Sequence, residues 1–273
     1  MKQIFLLVIS LFVLQSTNSY AQAIEGIIKD AKTREAIPYV NVGLIGKGIG
    51  TVTDAAGAFR LIMNNNDADS LKISMIGYRP QTYLVADLKK RTALLNITLE
   101  PKTTALKEVK IYNHKFKEAI LGNTTKSKST NAGFTSNQLG NEIGEIIKIK
   151  RSPTRIKQFN ASISVPVTAD SIKLRLNFYS VVDGMPDQIL QQQNIFITVK
   201  KGQDKISVDL EPYDIVVKDK FFVSLEWIEN AKGSGIMFSA SLFSSAIIAR
   251  DASQSKWEKT GLAGVGFNVL AEY

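Results

Sequence analysis

The sequence of 273 residues contains no cysteine and one histidine, His114. Without a thiol there is no disulfide framework, no thiolate nucleophile, no iron–sulfur cluster and no Cys-ligated zinc. One imidazole cannot supply the paired His ligands of a zinc peptidase, and it allows at most one His-based acid–base pair. His114 sits in the charged stretch Asn113-His114-Lys115, the setting of an ordinary surface histidine, and no Gly-x-Ser-x-Gly elbow occurs. A glycosidase needs only two carboxylates. Glu142 with Glu145, or Asp183 with Asp187, are the pairs at hand, yet nothing in the sequence separates them from solvated charge. The expectation is a protein that is not an enzyme and holds no metal and no cofactor.

What is present is apolar enough to fold: 44% of residues are hydrophobic and 22% charged, with 34 Lys+Arg against 25 Asp+Glu. That composition excludes disorder, and the length suits two domains. Residues 1–21 read as a signal peptide. Lys2 gives a positive start, residues 4–14 are an apolar run too short to span a bilayer comfortably, and Ser19-Tyr20-Ala21 ends in a small-x-small cleavage pattern. No cysteine follows, so a lipoprotein anchor is excluded. The mature chain is expected to be exported, in the periplasm or at the outer membrane or cell surface, with no transmembrane helix once the signal is removed.

From Ala23 the pattern is β. Ile24-Glu25-Gly26-Ile27-Ile28-Lys29-Asp30 reads as a short strand, and Pro38-Tyr39-Val40-Asn41-Val42-Gly43-Leu44-Ile45 alternates as a half-buried strand should. Thr51-Val52-Thr53 and Ala58-Phe59-Arg60-Leu61-Ile62 flank a turn in which Asp54 bonds the backbone ahead and Gly57 takes the left-handed conformation. Gly46-Lys47-Gly48-Ile49-Gly50 is glycine-rich, but a phosphate-cradling loop must open a helix; here a strand follows, so the stretch reads as a hairpin turn. About seven strands within residues 22–100 predict a small β-sandwich.

Three ordered motifs carry a resemblance. Gly26-x-Ile28-x-Asp30 with Thr33 and Ile37-Pro38-Tyr39-x-Asn41-Val42 comes first. Gly50-Thr51-x-Thr53-Asp54-x-x-Gly57-x-Phe59 and Ser74-x-Ile76-Gly77-Tyr78 follow. Over residues 23–100 the chain resembles the carboxypeptidase-regulatory-like domain, which implies a transthyretin-like seven-stranded sandwich of exported Bacteroidota proteins. The resemblance implies an accessory module, since the peptidase chemistry of the family name belongs to a neighbouring domain. Residues 101–131 read as a linker with one extra strand. Its Leu106-Lys107-Glu108-Val109-Lys110-Ile111 looks like the stretch that follows this domain in TonB-dependent receptors.

Residues 132–273 are again β-patterned, and about eight strands predict a jelly-roll-like sandwich, weakly similar to galactose-binding-like modules. A rival architecture is a small outer-membrane barrel, because Val265, Phe267, Val269, Ala271 and Tyr273 alternate towards an aromatic terminus. Lys148, Lys150, Arg151, Arg155 and Lys157 form a basic cluster that offers salt-sensitive attraction to anionic glycans, with solvation as the plain alternative. Trp227 belongs to an apolar strand and is expected in the core. Trp257, flanked by Lys256 and Glu258, is the candidate sugar-stacking platform, with rim packing as the alternative. Asp69-Ser70-Leu71 and Asp170-Ser171-Ile172 are similar to the O-glycosylation acceptor pattern of such exported proteins, which nominates Ser70 and Ser171.

The sequence thus predicts a non-catalytic exported binding or adhesion protein of the cell envelope, contacting glycan or another envelope component. A structural accessory subunit of an outer-membrane complex is the alternative, and a hydrolase ranks below both. Partners are envelope glycan or protein; export disfavours nucleic acid.

Overall fold

Period-two alternation sets every sheet of this chain. The structure, a computed structural model, describes residues 22–63, 67–90, 94–102, 116–168, 171–229 and 235–273. The expected signal peptide, His114, the strand expected at 106–112 and Asp170 lie outside these residues. Their regular structure is almost all strand, 56% against 4% helix, as the sequence predicts, and is consistent with β-sandwiches.

Strands β1 (Gln22–Asp30), β2 (Asn41–Leu44), β3 (Gly50–Val52), β4 (Ala58–Met63), β5 (Ser70–Ser74), β6 (Gln81–Leu84) and β7 (Leu95–Leu99) make two sheets, ordered β4-β1-β7 and β3-β2-β5-β6. A short helix, α1 (Val85–Lys89), links β6 to β7 and buries Val85 and Leu88. In β4 the residues Phe59, Leu61 and Met63 point inward and Arg60 and Ile62 outward, as alternation requires. They meet Ile28, Val42, Leu44, Leu71 and Ile73 in one apolar core.

The motif residues have visible jobs here. Asp30 Oδ1 accepts from the Lys32 and Thr33 amides at 2.7 and 3.0 Å, and its Oδ2 accepts from the Tyr78 hydroxyl at 3.0 Å. Thr53 Oγ1 accepts from the Val40 amide at 2.8 Å and donates to the Ile37 carbonyl at 3.0 Å. The expected turn is present. Asp54 Oδ1 accepts from the Ala56 and Ala58 amides at 2.9 Å, and Gly57 has φ +72°. The glycine-rich stretch at 46–50 is a turn joining antiparallel β2 and β3.

The remaining strands are β8 (Glu118–Gly122), β9 (Asn131–Phe134), β10 (Glu142–Ile147), β11 (Thr154–Val165), β12 (Ser171–Val182), β13 (Met185–Ile189), β14 (Ile195–Lys200), β15 (Lys205–Asp209), β16 (Ile215–Val217), β17 (Phe221–Trp227), β18 (Ile236–Leu242), β19 (Ile247–Arg250), β20 (Glu258–Thr260), β21 (Ala263–Val265) and β22 (Phe267–Glu272). One sheet runs β13-β12-β17-β10-β19-β20, with β14 also on β12. The other runs β21-β18-β11-β22-β8, with β15 and β16 on β11 and β9 on β18. Their inner faces share a second core, in which Phe134 meets Trp227 edge-on at 5.6 Å and Phe238 meets Phe267 at 5.0 Å.

Two expectations change. The row Val265, Phe267, Val269 and Ala271 is wholly buried in this core, so it faces protein and not lipid, and the strands form two facing sheets instead of one ring. The stretch Asp183-Gly184-Met185-Pro186-Asp187, which reads as a turn in sequence, narrows to Asp183-Gly184, both at positive φ, because two such residues match the twist of a tight hairpin. Residues Glu118–Gly122 also pair with β22, so the second sandwich draws in chain from the stretch read as linker.

Candidate functional site

All seven residues of β17 are buried, although alternate ones point away from the second core. Phe221, Val223, Leu225 and Trp227 face that core. Phe222, Ser224 and Glu226 form the outer row, beside Arg175, Asn177 and Tyr179 of β12, Glu142 of β10 and Arg250 of β19. A row this polar belongs on a solvated face; here it is covered, and most of its polar atoms bond one another, Glu226 Oε1 and Arg250 Nε excepted.

Glu142 is fully buried and sits opposite Glu226 in the ladder. Its Oε1 accepts from Asn177 Nδ2 at 2.8 Å, Ser224 Oγ at 2.5 Å and the Tyr179 hydroxyl at 3.0 Å, while Arg250 Nη2 lies 2.6 Å from Oε2. Glu226 Oε2 accepts from Arg175 Nε and Nη2 at 2.9 and 2.8 Å. Burial works to lower the Arg250 pKa, but the charges of Glu142 and Glu226 outweigh it and hold the guanidinium ionised. Burial, then the Glu142 charge, pushes the Tyr179 hydroxyl well above its usual range, so it remains a donor. Two cations and two carboxylates thus balance, the arrangement in which buried ions are tolerated.

The first sandwich docks on this floor. Arg175 Nη1 donates to the Tyr39 carbonyl at 2.9 Å and Nη2 to Asn41 Oδ1 at 2.6 Å. Lys173 Nζ bonds the Tyr39 hydroxyl and Glu229, and Gln254 Nε2 reaches Ser74 Oγ at 2.9 Å. Gly43 and Gly50 let the Ser253 carbonyl approach so closely that a Cβ on either would overlap it.

Beside this contact a cleft of about 720 Å³ opens. One wall is the outer row of β5, with Lys72 and Ser74, and the Met75–Tyr78 loop; the floor is Arg175, Asn177 and Tyr179. The far walls are residues 187–192 and 254–257 together with Arg250. Trp257 lines it, half-buried, with edge contacts to Phe222 and Tyr179 at 5.2 and 5.6 Å and the Arg250 guanidinium 4.6 Å from its ring centre. Arg250 Nε and Ser255 Oγ are buried without a hydrogen-bond partner among the described residues.

Of the binding residues nominated from sequence, only Trp257 comes to this cleft; of the Asp183 and Asp187 pair, Asp187 lines it and Asp183 does not. Lys148, Lys150 and Arg151 are exposed beyond the opposite end of β10 from Glu142. Lys157 lies 2.8, 3.3 and 3.8 Å from Glu118, Glu211 and Glu272; Glu118 and Glu211 push its pKa up to about 12, and Arg155 pairs with Asp214 at 3.1 Å. Ser171 is exposed at the start of β12 and Ser70 half-buried at the start of β5. Trp227 is core, as expected. Glu142 and Glu145 lie three apart on one strand, so their side chains leave opposite faces and cannot flank one bond. Sequence reading missed Arg175, Glu226 and Arg250. The usable signal was two polar residues, Ser224 and Glu226, inside a run otherwise wholly apolar.

Glu145 points the other way, to a separate polar cluster. Its Oε1 accepts from the Asn123 amide at 3.2 Å and its Oε2 from Ser245 Oγ at 2.5 Å. Burial raises its pKa to about 7, against the lowering effect of those bonds. Among the described residues no group of three or more His, Asp or Glu is placed to hold a metal, and no helix is long and apolar enough to cross a membrane.

Residues 24–111 match the family model of the CarboxypepD_reg-like domain, the region whose motifs tie β1 to β5 above. Over these residues the chain carries a carboxypeptidase-regulatory-like domain. The TonB-dependent receptor SusC of Bacteroides thetaiotaomicron is 32% identical over 142 residues, which cover 50% of this chain and 13% of that receptor. The chain therefore spans a small part of that relative's length. Among solved structures, that of infectious bursal disease virus Gx strain aligns with 7% identity and a TM-score of 0.20, covering 92% of this chain and 62% of that one.

Proposed function

We propose that this chain is a non-catalytic binding protein of the cell envelope, exported through its first 21 residues, and that its cleft contacts envelope glycan or another envelope component. The observation that carries this is the cleft between the carboxypeptidase-regulatory-like sandwich and the polar outer row of β12 and β17, with Trp257 presented on its wall. Aromatic side chains with an apolar body and adjoining amides suit stacking on sugar rings with hydrogen bonds at the ring edge. Glycan-array binding by the mature chain, lost in Trp257→Ala but retained in Trp227→Phe, tests this; an array blank for both overturns it.

A second reading, an accessory subunit of an outer-membrane complex, draws on the SusC similarity and on one surface feature. Leu242, Phe243 and Leu262 protrude on adjacent turns, and Phe243 is 81% exposed. Co-purification of one envelope protein with the native chain, abolished in Phe243→Ser, supports this reading over the first.

A further inference from the structure

We infer that the cleft is built for a carboxylate-bearing oligosaccharide, an inference that rests on the binding function proposed above and narrows its ligand. The argument begins with charge. Arg175 and Arg250 bring no free charge to the cleft, because Glu226 and Glu142 answer them. What remains on the lining is Lys72 and Lys102 against Asp187. Neither lysine forms a hydrogen bond through its side chain or an ion pair among the described residues.

Their positions follow from the backbone. Lys72 lies two residues before Ser74 on the outer row of β5, and Ser74 holds Gln254 of the opposite wall. Lys102 donates its amide to the Gly77 carbonyl at 2.7 Å, beside the Tyr78–Pro101 bridge, so it stands at the Met75–Tyr78 loop. Both cations thus rise from the first sandwich over a floor of neutral balance.

The rest of the lining asks for hydroxyls. Gln188 and Gln192 offer side-chain amides that bond nothing among the described residues. Arg250 Nε needs an acceptor and Ser255 Oγ any polar partner, since a buried polar group left unpaired is costly. A sugar ring supplies both, and its apolar face suits Trp257. A uronate-type carboxylate answers the two lysines. The volume of about 720 Å³ suits a few sugar units.

Isothermal titration of the full mature chain decides the matter, using oligogalacturonate, a neutral galacto-oligosaccharide of equal length and a polyglutamate peptide, each at low and high salt. The acidic sugar is expected to bind roughly tenfold more tightly than the neutral one at low salt, with most of that gap closing at high salt. Lys72→Ala with Lys102→Ala removes the gap without changing the melting temperature, and Trp257→Ala weakens both sugars. Equal affinity for acidic and neutral sugars overturns the acidic class while the glycan reading stands. Polyglutamate binding as well as oligogalacturonate overturns the saccharide, and no binding by any probe overturns both readings.

Discussion

Arg175 Nη2 donates to Asn41 Oδ1 at 2.6 Å, and through this bond a side chain of the second sandwich is held by the strand that opens the Ile37–Val42 motif's second half. The same guanidinium ties Glu226 and the Tyr39 carbonyl, so one buried cation joins β12, β17 and the first sandwich. The cleft has its shape because this junction is fixed.

Arg175→Met is expected to cost about 3–5 kcal/mol in urea denaturation, because it leaves the fully buried Glu226 with no cation nearer than Arg250 at 4.0 Å. Adding Glu226→Gln in the same chain recovers part of the loss by removing the stranded charge. A single variant as stable as the parent refutes the junction's role.

Gly43→Ala and Gly50→Ala each place a Cβ on the Ser253 carbonyl, and each is expected to destabilise by about 1–3 kcal/mol. Gly48→Ala is the control. It has φ +69° but open space around it, so only the backbone penalty of about 1 kcal/mol applies. Equal losses at all three positions would show that close approach is irrelevant.

Glu145 gives a pH dependence with a definite sign. Its pKa is raised from 4.5 to about 7 in the fold, so between those values the folded chain keeps a proton that the unfolded chain has released. Stability from this group is present below pH ~4.5 and falls as pH rises through ~7, by up to about 3 kcal/mol. Glu145→Gln flattens that part of the stability–pH curve and raises the melting temperature at pH 8; an unchanged curve refutes it.

The basic cluster divides into cations that form no ion pair among the described residues, Lys148, Lys150 and Arg151, the last lying 6.0 Å over the Tyr273 ring, and cations already paired with carboxylates. Lys148→Ala with Lys150→Ala and Arg151→Ala is expected to shorten retention on an anionic polysaccharide column. Arg155→Ala with Lys157→Ala changes it little, since carboxylates already surround those two side chains. Neither set is expected to shift the melting temperature appreciably, because surface ion pairs contribute little to stability. The reverse order of retention would refute this division.

Local chemistry was legible in the residues themselves. The Asp54 and Gly57 turn needed only a short acceptor side chain and a residue free to take positive φ, and both are visible in sequence. The alternation of Ile172, Leu174, Leu176 and Phe178 likewise marked one face of β12 as core. The opposite row, Lys173, Arg175, Asn177 and Tyr179, reads as solvent-facing by the same rule, and there the rule failed. Arg175 is buried by residues 134 and 136 positions away and by Glu226. No local pattern encodes a partner at such separation. The strand Glu118–Gly122 escaped for a related reason: half of it is exposed at a sheet edge, and only pairing with β22 makes it a strand.

By itself the sequence decided that this chain folds as β-sheet and cannot run thiolate or multi-histidine zinc chemistry, because residue counts and a period of two are local properties of the chain. Tertiary structure decided which polar rows are buried, that Trp257 and not the basic cluster lines the cleft, and that two sandwiches share one charged junction. Alternation states which side chains share a face; only the packing of distant strands determines what covers that face.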